Sequence, residues 1–171
     1  TAQMAAERAG DRVVAFGIGG DESRGPAGEF AGVFRFAKDQ GLKLVPHAGE
    51  TEGPESVRAA LDLGADRIGH GIRAVEDAAL LARLRDEGIP LEVCISSNLA
   101  TGAVASYREH PLHCLYEAGV PVVLNTDDPA MFHTTLSREY ALAERELGFT
   151  REELTALARE SFARAFRASA A

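Results

Sequence analysis

A unit of helix, glycine and short apolar run recurs along most of this 171-residue chain. Four predicted helices end at glycines, which accept the left-handed backbone conformation that terminates a helix. These glycines are Gly41, Gly64, Gly88 and Gly119. The runs after them, and one earlier run, are mostly apolar without alternation, which is typical of strands buried on both faces of a parallel sheet. The five predicted strands are 13–18, 42–46, 67–69, 91–95 and 121–125.

The segments between these strands carry the spacing of amphipathic helices. Helices are predicted from 54, over 78–84, from 110–111 and over 152–166. Strands start every 24–30 residues, as expected of successive βα units in a single α/β domain over 1–171. Two architectures fit this pattern: an open doubly wound sheet, or part of a (β/α)8 barrel. A complete barrel needs ~250 residues, so length alone favours the open sheet.

Composition narrows the class of partner. The net charge is −8 and no basic stripe is present, which disfavours nucleic acid and anionic membranes and leaves a small-molecule substrate open. Two cysteines do not make a disulfide framework. No signal peptide and no apolar run of membrane-spanning length is visible. We therefore expect a cytoplasmic protein.

Polar residues follow every predicted strand. The clusters are Gly-Ile-Gly-Gly-Asp-Glu at 17–22, His-Ala-Gly-Glu at 47–50, Gly-His-Gly at 69–71, Ser-Ser-Asn at 96–98 and Asn-Thr-Asp-Asp-Pro at 125–129. The carboxyl ends of parallel strands lie on one face, so the clusters should converge. Each residue alone has a structural explanation, such as helix capping by an aspartate. Their joint occurrence favours a functional role for His47, His70 and Asp127, since converging imidazoles and carboxylates are what a zinc-type metal site uses.

The same motifs, with Arg-Ile-Gly-His-Gly at 67–71 and Thr-Gly-Ala at 101–103, resemble the adenosine deaminase family of metal-dependent amidohydrolases in order and spacing. The resemblance extends from about residue 13 to nearly the end of the chain. It implies an α/β fold of the (β/α)8 TIM-type, with about five carboxyl-terminal βα units present. Ile95 stands where bacterial relatives usually carry proline, and we expect no effect on the chemistry.

The resemblance also implies catalytic roles. His47 and Asp127 would bind one Zn²⁺, although another divalent metal remains open. Glu50 would donate a proton to purine N1. His70 would orient and deprotonate the metal-bound water that attacks C6, after which ammonia leaves.

Two further residues would contact the purine. Asp128 would be the hydrogen-bond partner of N7, and the backbone of Gly20 would contact N3. Adjacent side chains at a strand end diverge, so Asp127 and Asp128 can serve the metal and the substrate separately. Of the other polar residues, His110 is interpreted as a helix start, His113 and His133 as structural or surface residues, and Glu139 and Tyr140 have no assigned role.

These roles predict hydrolytic deamination of an adenine-type purine nucleoside. Aminodeoxyfutalosine and free adenine are alternative substrates. A different metal-dependent hydrolase acting on an amide or phosphoester is a further alternative, which Glu50 argues against. A non-catalytic chain retained for assembly is the last alternative.

The family's His-x-His metal ligands have no counterpart among the five histidines of this chain. The expectation is that the first three barrel strands, which would carry those ligands, are absent. Five strands without closure leave two open edges. We therefore expect association with the missing amino-terminal half, or self-association, and weak metal binding by the isolated chain.

Overall fold

The computed structural model describes residues 1–11 and 13–166, and a sheet of five parallel strands forms its centre. The strands lie side by side in chain order. They are β1 (Ala15–Ile18), β2 (Lys43–Ala48), β3 (Ile68–His70), β4 (Leu91–Val93) and β5 (Val122–Leu124). A doubly wound sheet reverses its strand order at a switch point, whereas a barrel adds its strands in sequence. The observed order is therefore that of a barrel segment.

Helices connect the strands. The α-helices are α1 (Ala2–Ala6), α2 (Ala31–Asp39), α3 (Pro54–Asp62), α4 (Ala78–Glu87), α5 (Ile95–Ala100), α6 (Leu112–Glu117), α7 (Leu136–Leu147) and α8 (Arg151–Ala163). Single turns of 3-10 helix lie at Ala27–Phe30, Ile72–Glu76 and Tyr107–Glu109. The four glycines predicted to end helices all adopt positive φ, between 67° and 81°. The predicted helix over 152–166 begins one residue earlier, because Thr150 and Glu153 form a capping box.

The fourth strand is shorter than predicted. It ends at Val93, and the residues from Ile95 onward form α5 instead of extending the strand to 95. Helical backbone hydrogen bonds define this element, such as the one from the Asn98 amide to the Cys94 carbonyl at 2.9 Å. The serines and asparagine at 96–98 therefore lie on the first turns of a helix, not in a turn after a strand. Helix α7 is an addition that the sequence analysis did not predict.

Two apolar clusters hold the elements together. The larger runs from β2 to α8, and a smaller one joins β1 and β2 to α2 through Phe34, Leu42 and Leu44. Strands β1 and β5 each pair with one neighbour among the described residues. Exposed aromatic side chains lie near both edges: Phe36 lines an apolar groove beside β1, and Phe162 lines another beside β5. In the described part of the chain, the helices lack the length and apolar composition required to cross a bilayer.

Candidate active site

The carboxyl ends of the strands form one cleft of about 500 Å³. All six residues predicted for the site line it, and they are Gly20, His47, Glu50, His70, Asp127 and Asp128. His47 lies on β2 and His70 on β3, while the other four follow β1, β2 or β5. The parallel sheet thus brings together residues more than 100 positions apart, as the strand-end pattern predicted.

Three of these side chains could hold a metal ion. One donor atom each from His47, His70 and Asp127 lies within 4.8 Å of the others. Burial lowers the pKa of both imidazoles, although the Asp127 carboxylate acts in the opposite direction. A neutral imidazole keeps a lone pair for a metal ion. Two imidazoles and a carboxylate are donors that Zn²⁺ accepts, so the residues present fit this ion. The resemblance implied that His70 deprotonates the attacking water and does not bind the metal. The observed geometry is compatible with either role.

Backbone conformation is unusual at two of these residues. His70 and Asp127 are not glycines, yet their φ values are +63° and +56°. Each such conformation costs about 1–3 kcal/mol and persists where the surrounding structure enforces it. Both residues stand where the chain leaves a strand, so the left-handed conformation redirects the side chain into the cleft.

Glycines make room for the His47 ring. A Cβ atom built on Gly69 of β3 would lie 2.4 Å from His47 Cδ2, and one on Gly19 would lie 2.9 Å from Cε1. The ring also meets the His70 ring edge-on, with centroids 4.7 Å apart. His47 is therefore held in one orientation by its neighbours on both sides.

Glu50 lies beside the candidate metal site with its carboxyl group largely enclosed. Its Oε1 accepts a hydrogen bond from the Thr101 hydroxyl at 3.0 Å, and its Oε2 lies 3.6 Å from His70 Nε2. Burial raises the pKa of Glu50, the Thr101 bond lowers it and the Asp127 charge raises it, with a net upward shift. A carboxyl group that retains its proton at higher pH is suited to act as a general acid.

The two aspartates diverge as predicted. Asp127 Oδ2 accepts from the Ser97 hydroxyl at 2.7 Å and lies 3.8 Å from His70 Nε2. Asp128 Oδ1 instead accepts from the backbone amides of Ala130 and Met131, at 3.1 and 3.0 Å. Asp128 thus caps the following turn and also lines the cleft. The capping role considered for it and its predicted contact with the purine are therefore compatible.

Helix α5 contributes residues that sequence reasoning noticed but gave no role. Besides Ser97 and Thr101, Asn98 is fully buried, and its Nδ2 lies 3.1 Å from His70 Nδ1. Asn98 Oδ1 lies 3.4 Å from Nε2 of the buried His110, and His110 Nδ1 accepts from the Leu112 amide at the start of α6. The helix predicted from 110–111 thus begins at Leu112, and His110 precedes it, accepts from its first amide and belongs to a chain of contacts that supports His70.

Two buried glutamates were also missed. Glu139 of α7 is fully buried and binds the Ser96 amide and hydroxyl at the first turn of α5, together with the Thr134 hydroxyl. Glu22, after β1, is buried at the entrance of the loop that carries Glu50. Polar residues spaced on one helical turn at 97, 98 and 101 were a usable signal for α5, whereas no local pattern marks the glutamates as buried.

Comparison with known proteins identifies the fold family. The family model for adenosine deaminase matches residues 1–170. An adenine deaminase of Sinorhizobium fredii is 45% identical over 97% of this chain and 52% of its own length. An adenine deaminase of Agrobacterium fabrum is 47% identical over 90% of this chain and 48% of its own length. The chain thus spans about half the length of the curated relatives it matches.

Solved structures agree. The adenine deaminase from Arthrobacter aurescens has a TM-score of 0.88 and 31% identity over 99% of this chain and 54% of that one. An amidohydrolase from Burkholderia ambifaria with bound Zn has a TM-score of 0.88 and 27% identity over 97% and 47%. The ADAL protein of Arabidopsis, complexed with GMP, has a TM-score of 0.85 and 34% identity over 99% and 49%. These matches confirm the predicted α/β barrel segment, and the chain belongs to the adenosine deaminase family.

Proposed function

We propose that this chain carries the acid, the base and part of the metal site of a zinc-dependent deaminase for adenine-type purines. The placement of Glu50 carries the proposal: its carboxyl group, whose pKa is raised by burial, lies 3.6 Å from His70 Nε2 in the cleft that gathers His47, His70 and Asp127. A hydrolase for amides or phosphoesters has no need of an acid facing a ring nitrogen. The family membership and the bound Zn of the Burkholderia ambifaria structure support the same chemistry.

The reaction replaces the amino group at C6 of the purine with oxygen from water and releases ammonia. Zn²⁺ held by His47 and Asp127 would supply a Lewis acid that lowers the pKa of water towards neutrality. Glu50 donates its proton to N1, which draws electron density from C6 into the ring as the attack proceeds. His70, whose pKa burial lowers, accepts a proton from the attacking water and passes it to the amino group, which leaves as ammonia. Glu50 regains a proton from the new C6 hydroxyl group as the carbonyl forms.

Two residues orient the purine. The backbone of Gly20 contacts N3, and Asp128 is the hydrogen-bond partner of N7. Together with Glu50 at N1, they hold the ring at three of its nitrogens. Correct orientation of this kind accounts for a large part of enzymatic rate enhancement.

Adenine is the first substrate to assay beside adenosine. Relatives at 45% and 47% identity are described as adenine deaminases, and the Arabidopsis structure contains a purine nucleotide. The described residues show no feature that favours aminodeoxyfutalosine over these purines. The proposal therefore ranks adenine and adenosine ahead of it.

Completion of the site requires further strands. We propose that β1 and β5 pair with strands of a complementary half, which would close the barrel and add metal ligands. The exposed aromatic residues at both edges and the greater length of the relatives support this pairing. The chain alone would then bind Zn²⁺ weakly, because His47 and Asp127 are the only ligands assigned to it.

The test compares Glu50→Gln with wild type in ammonia release from adenine and adenosine. The chain is assayed with Zn²⁺, alone and mixed with the other half of the Sinorhizobium fredii relative. We expect Glu50→Gln to lower turnover at least ~100-fold, since general acids contribute about 10²–10⁴-fold, while Zn²⁺ binding stays unchanged. Glu52→Gln, an exposed carboxylate on the same loop, is the control.

Three results would contradict the proposal. Loss of Zn²⁺ in Glu50→Gln would make Glu50 a ligand. Full activity of this variant would remove it from the chemistry. Failure of the Zn²⁺-bound, complemented wild type to deaminate either purine would refute the proposed reaction itself.

A further inference from the structure

A second carboxylate, Glu22, is buried next to the proposed acid and takes no part in the proposed chemistry. It lies after β1 and is 4% exposed. Its side chain reaches across to the loop between β2 and α3. The carboxylate accepts from four successive backbone amides, those of residues 49–52, at 2.6–3.2 Å, and from the Ser56 hydroxyl.

The loop has a conformation that calls for such an anion. Gly49 turns the chain with φ +66°, and four consecutive amides then point to one side. A concave row of amides of this kind binds anions. Enclosed amides left without an acceptor would destabilise this loop conformation. Glu22 supplies an acceptor from within the protein, at a separation of 27–30 residues.

The bonding also limits what Glu22 can do. Five donors are directed at its two oxygens, whereas a carboxylate offers about four lone-pair sites. No acceptor capacity is left for a metal ion or a substrate. Glu22 can therefore act on the site only through the loop that it binds.

We propose that Glu22 is a positioning residue, which fixes the backbone of residues 49–52 and so directs the Glu50 side chain into the cleft. The inference rests on the proposed function of Glu50. One of these hydrogen bonds comes from the Glu50 amide itself, at 3.0 Å. Glu22 therefore restrains the backbone of the proposed general acid directly.

The position of Glu22 in the chain adds a second consequence. It lies two residues after Gly20, so its carboxylate joins the segment that carries the N3 contact to the loop that carries the N1 donor. N1 and N3 of a purine are separated by one carbon atom, and their two protein contacts must keep a matching spacing. Glu22 sets this spacing by a single side chain.

Glu22→Gln tests the proposal, because an amide nitrogen cannot accept from the loop amides. We expect hydrogen exchange at residues 49–52 to rise about tenfold, in line with the loss of a hydrogen bond. A misplacement near 1 Å can lower a rate about 100-fold, so kcat should fall by this order while KM and Zn²⁺ affinity change little. Glu52→Gln should match wild type in all four measurements.

Ser56→Ala is a milder second variant that removes one donor and keeps the carboxylate, and it should give a smaller loss in kcat. The proposal is overturned if exchange at 49–52 is unchanged in Glu22→Gln, or if kcat per folded molecule is unchanged while the melting temperature falls. If the complemented wild type releases no ammonia, the role of Glu50 fails. The exchange measurement then still decides whether Glu22 holds the loop.

Discussion

Replacement of Gly69 by alanine should damage the metal site through His47. The two residues are direct neighbours in the register of β2 and β3. The new Cβ atom would lie 2.4 Å from His47 Cδ2 and 3.0 Å from Nε2. Ordinary contact begins near 3.4 Å, so either the ring or the strand must retreat by about 1 Å.

The size of this displacement sets the expected loss. Zinc–nitrogen bonds measure about 2.0–2.1 Å, with a tolerance near 0.2 Å. A ligand moved by ~1 Å no longer bonds, and the affinity for Zn²⁺ should fall at least ~10–100-fold, the range seen when the orientation of a ligand is disturbed. Overpacking should also destabilise the fold by about 1–3 kcal/mol.

Competition with a chromophoric chelator measures the affinity ratio, and urea unfolding measures the stability. Gly32→Ala is the matched control, since nothing lies within 4 Å of the added atom in helix α2. This control should bind Zn²⁺ like wild type and gain up to ~1 kcal/mol. Gly19→Ala, with a contact of 2.9 Å, should lie between the two. Wild-type Zn²⁺ affinity in a folded Gly69→Ala protein would refute the assignment of His47 as a ligand.

Two further predictions concern stability and assembly. Burial lowers the pKa of His110 from 6.5 to about 4, so only the unfolded chain binds that proton in this interval. The contribution of His110 to the free energy of unfolding is therefore fully present above pH 6.5. It is lost as the pH falls towards 4, which lowers the free energy of unfolding by about 3 kcal/mol at most. Urea midpoints at neutral and acid pH should show a smaller decline in His110→Gln, and an equal decline would exclude His110 as the cause. At the β5 edge, Phe162→Glu should weaken binding of the complementary half, as measured by sedimentation. Arg151→Glu, on the same helix, is the control and should leave this binding unchanged. Equal affinities of the two variants would show that this edge is not the interface.

The local signals predicted most elements well. Glycines with positive φ follow the helices where expected. The capping box of Thr150 and Glu153 is an equally local signal, which the prediction of a helix over 152–166 did not use. Both features depend on neighbours in the chain, so a sequence pattern is able to reveal them. The end of β4 depends instead on a distant residue. Ile95 continues an apolar run, yet the amide of the next residue, Ser96, donates to Glu139, 43 positions away. A pattern of nearby residues carries no information about that partner.

The sequence by itself determined which donors stand at the strand ends: imidazoles at 47 and 70, carboxylates at 50, 127 and 128. It also determined the repeat that brings those ends to one face. Only the tertiary structure decided how the donors are used, because distance, burial and hydrogen bonding arise between residues far apart in the chain. Glu22 and Glu50 are both buried carboxylates, and yet the pKa of Glu22 is lowered while that of Glu50 is raised. Burial opposes ionisation of both carboxyl groups. The Ser56 hydroxyl and the backbone amides of residues 49, 51 and 52 overcome this effect for Glu22. Glu50 accepts from the Thr101 hydroxyl, which does not offset its burial.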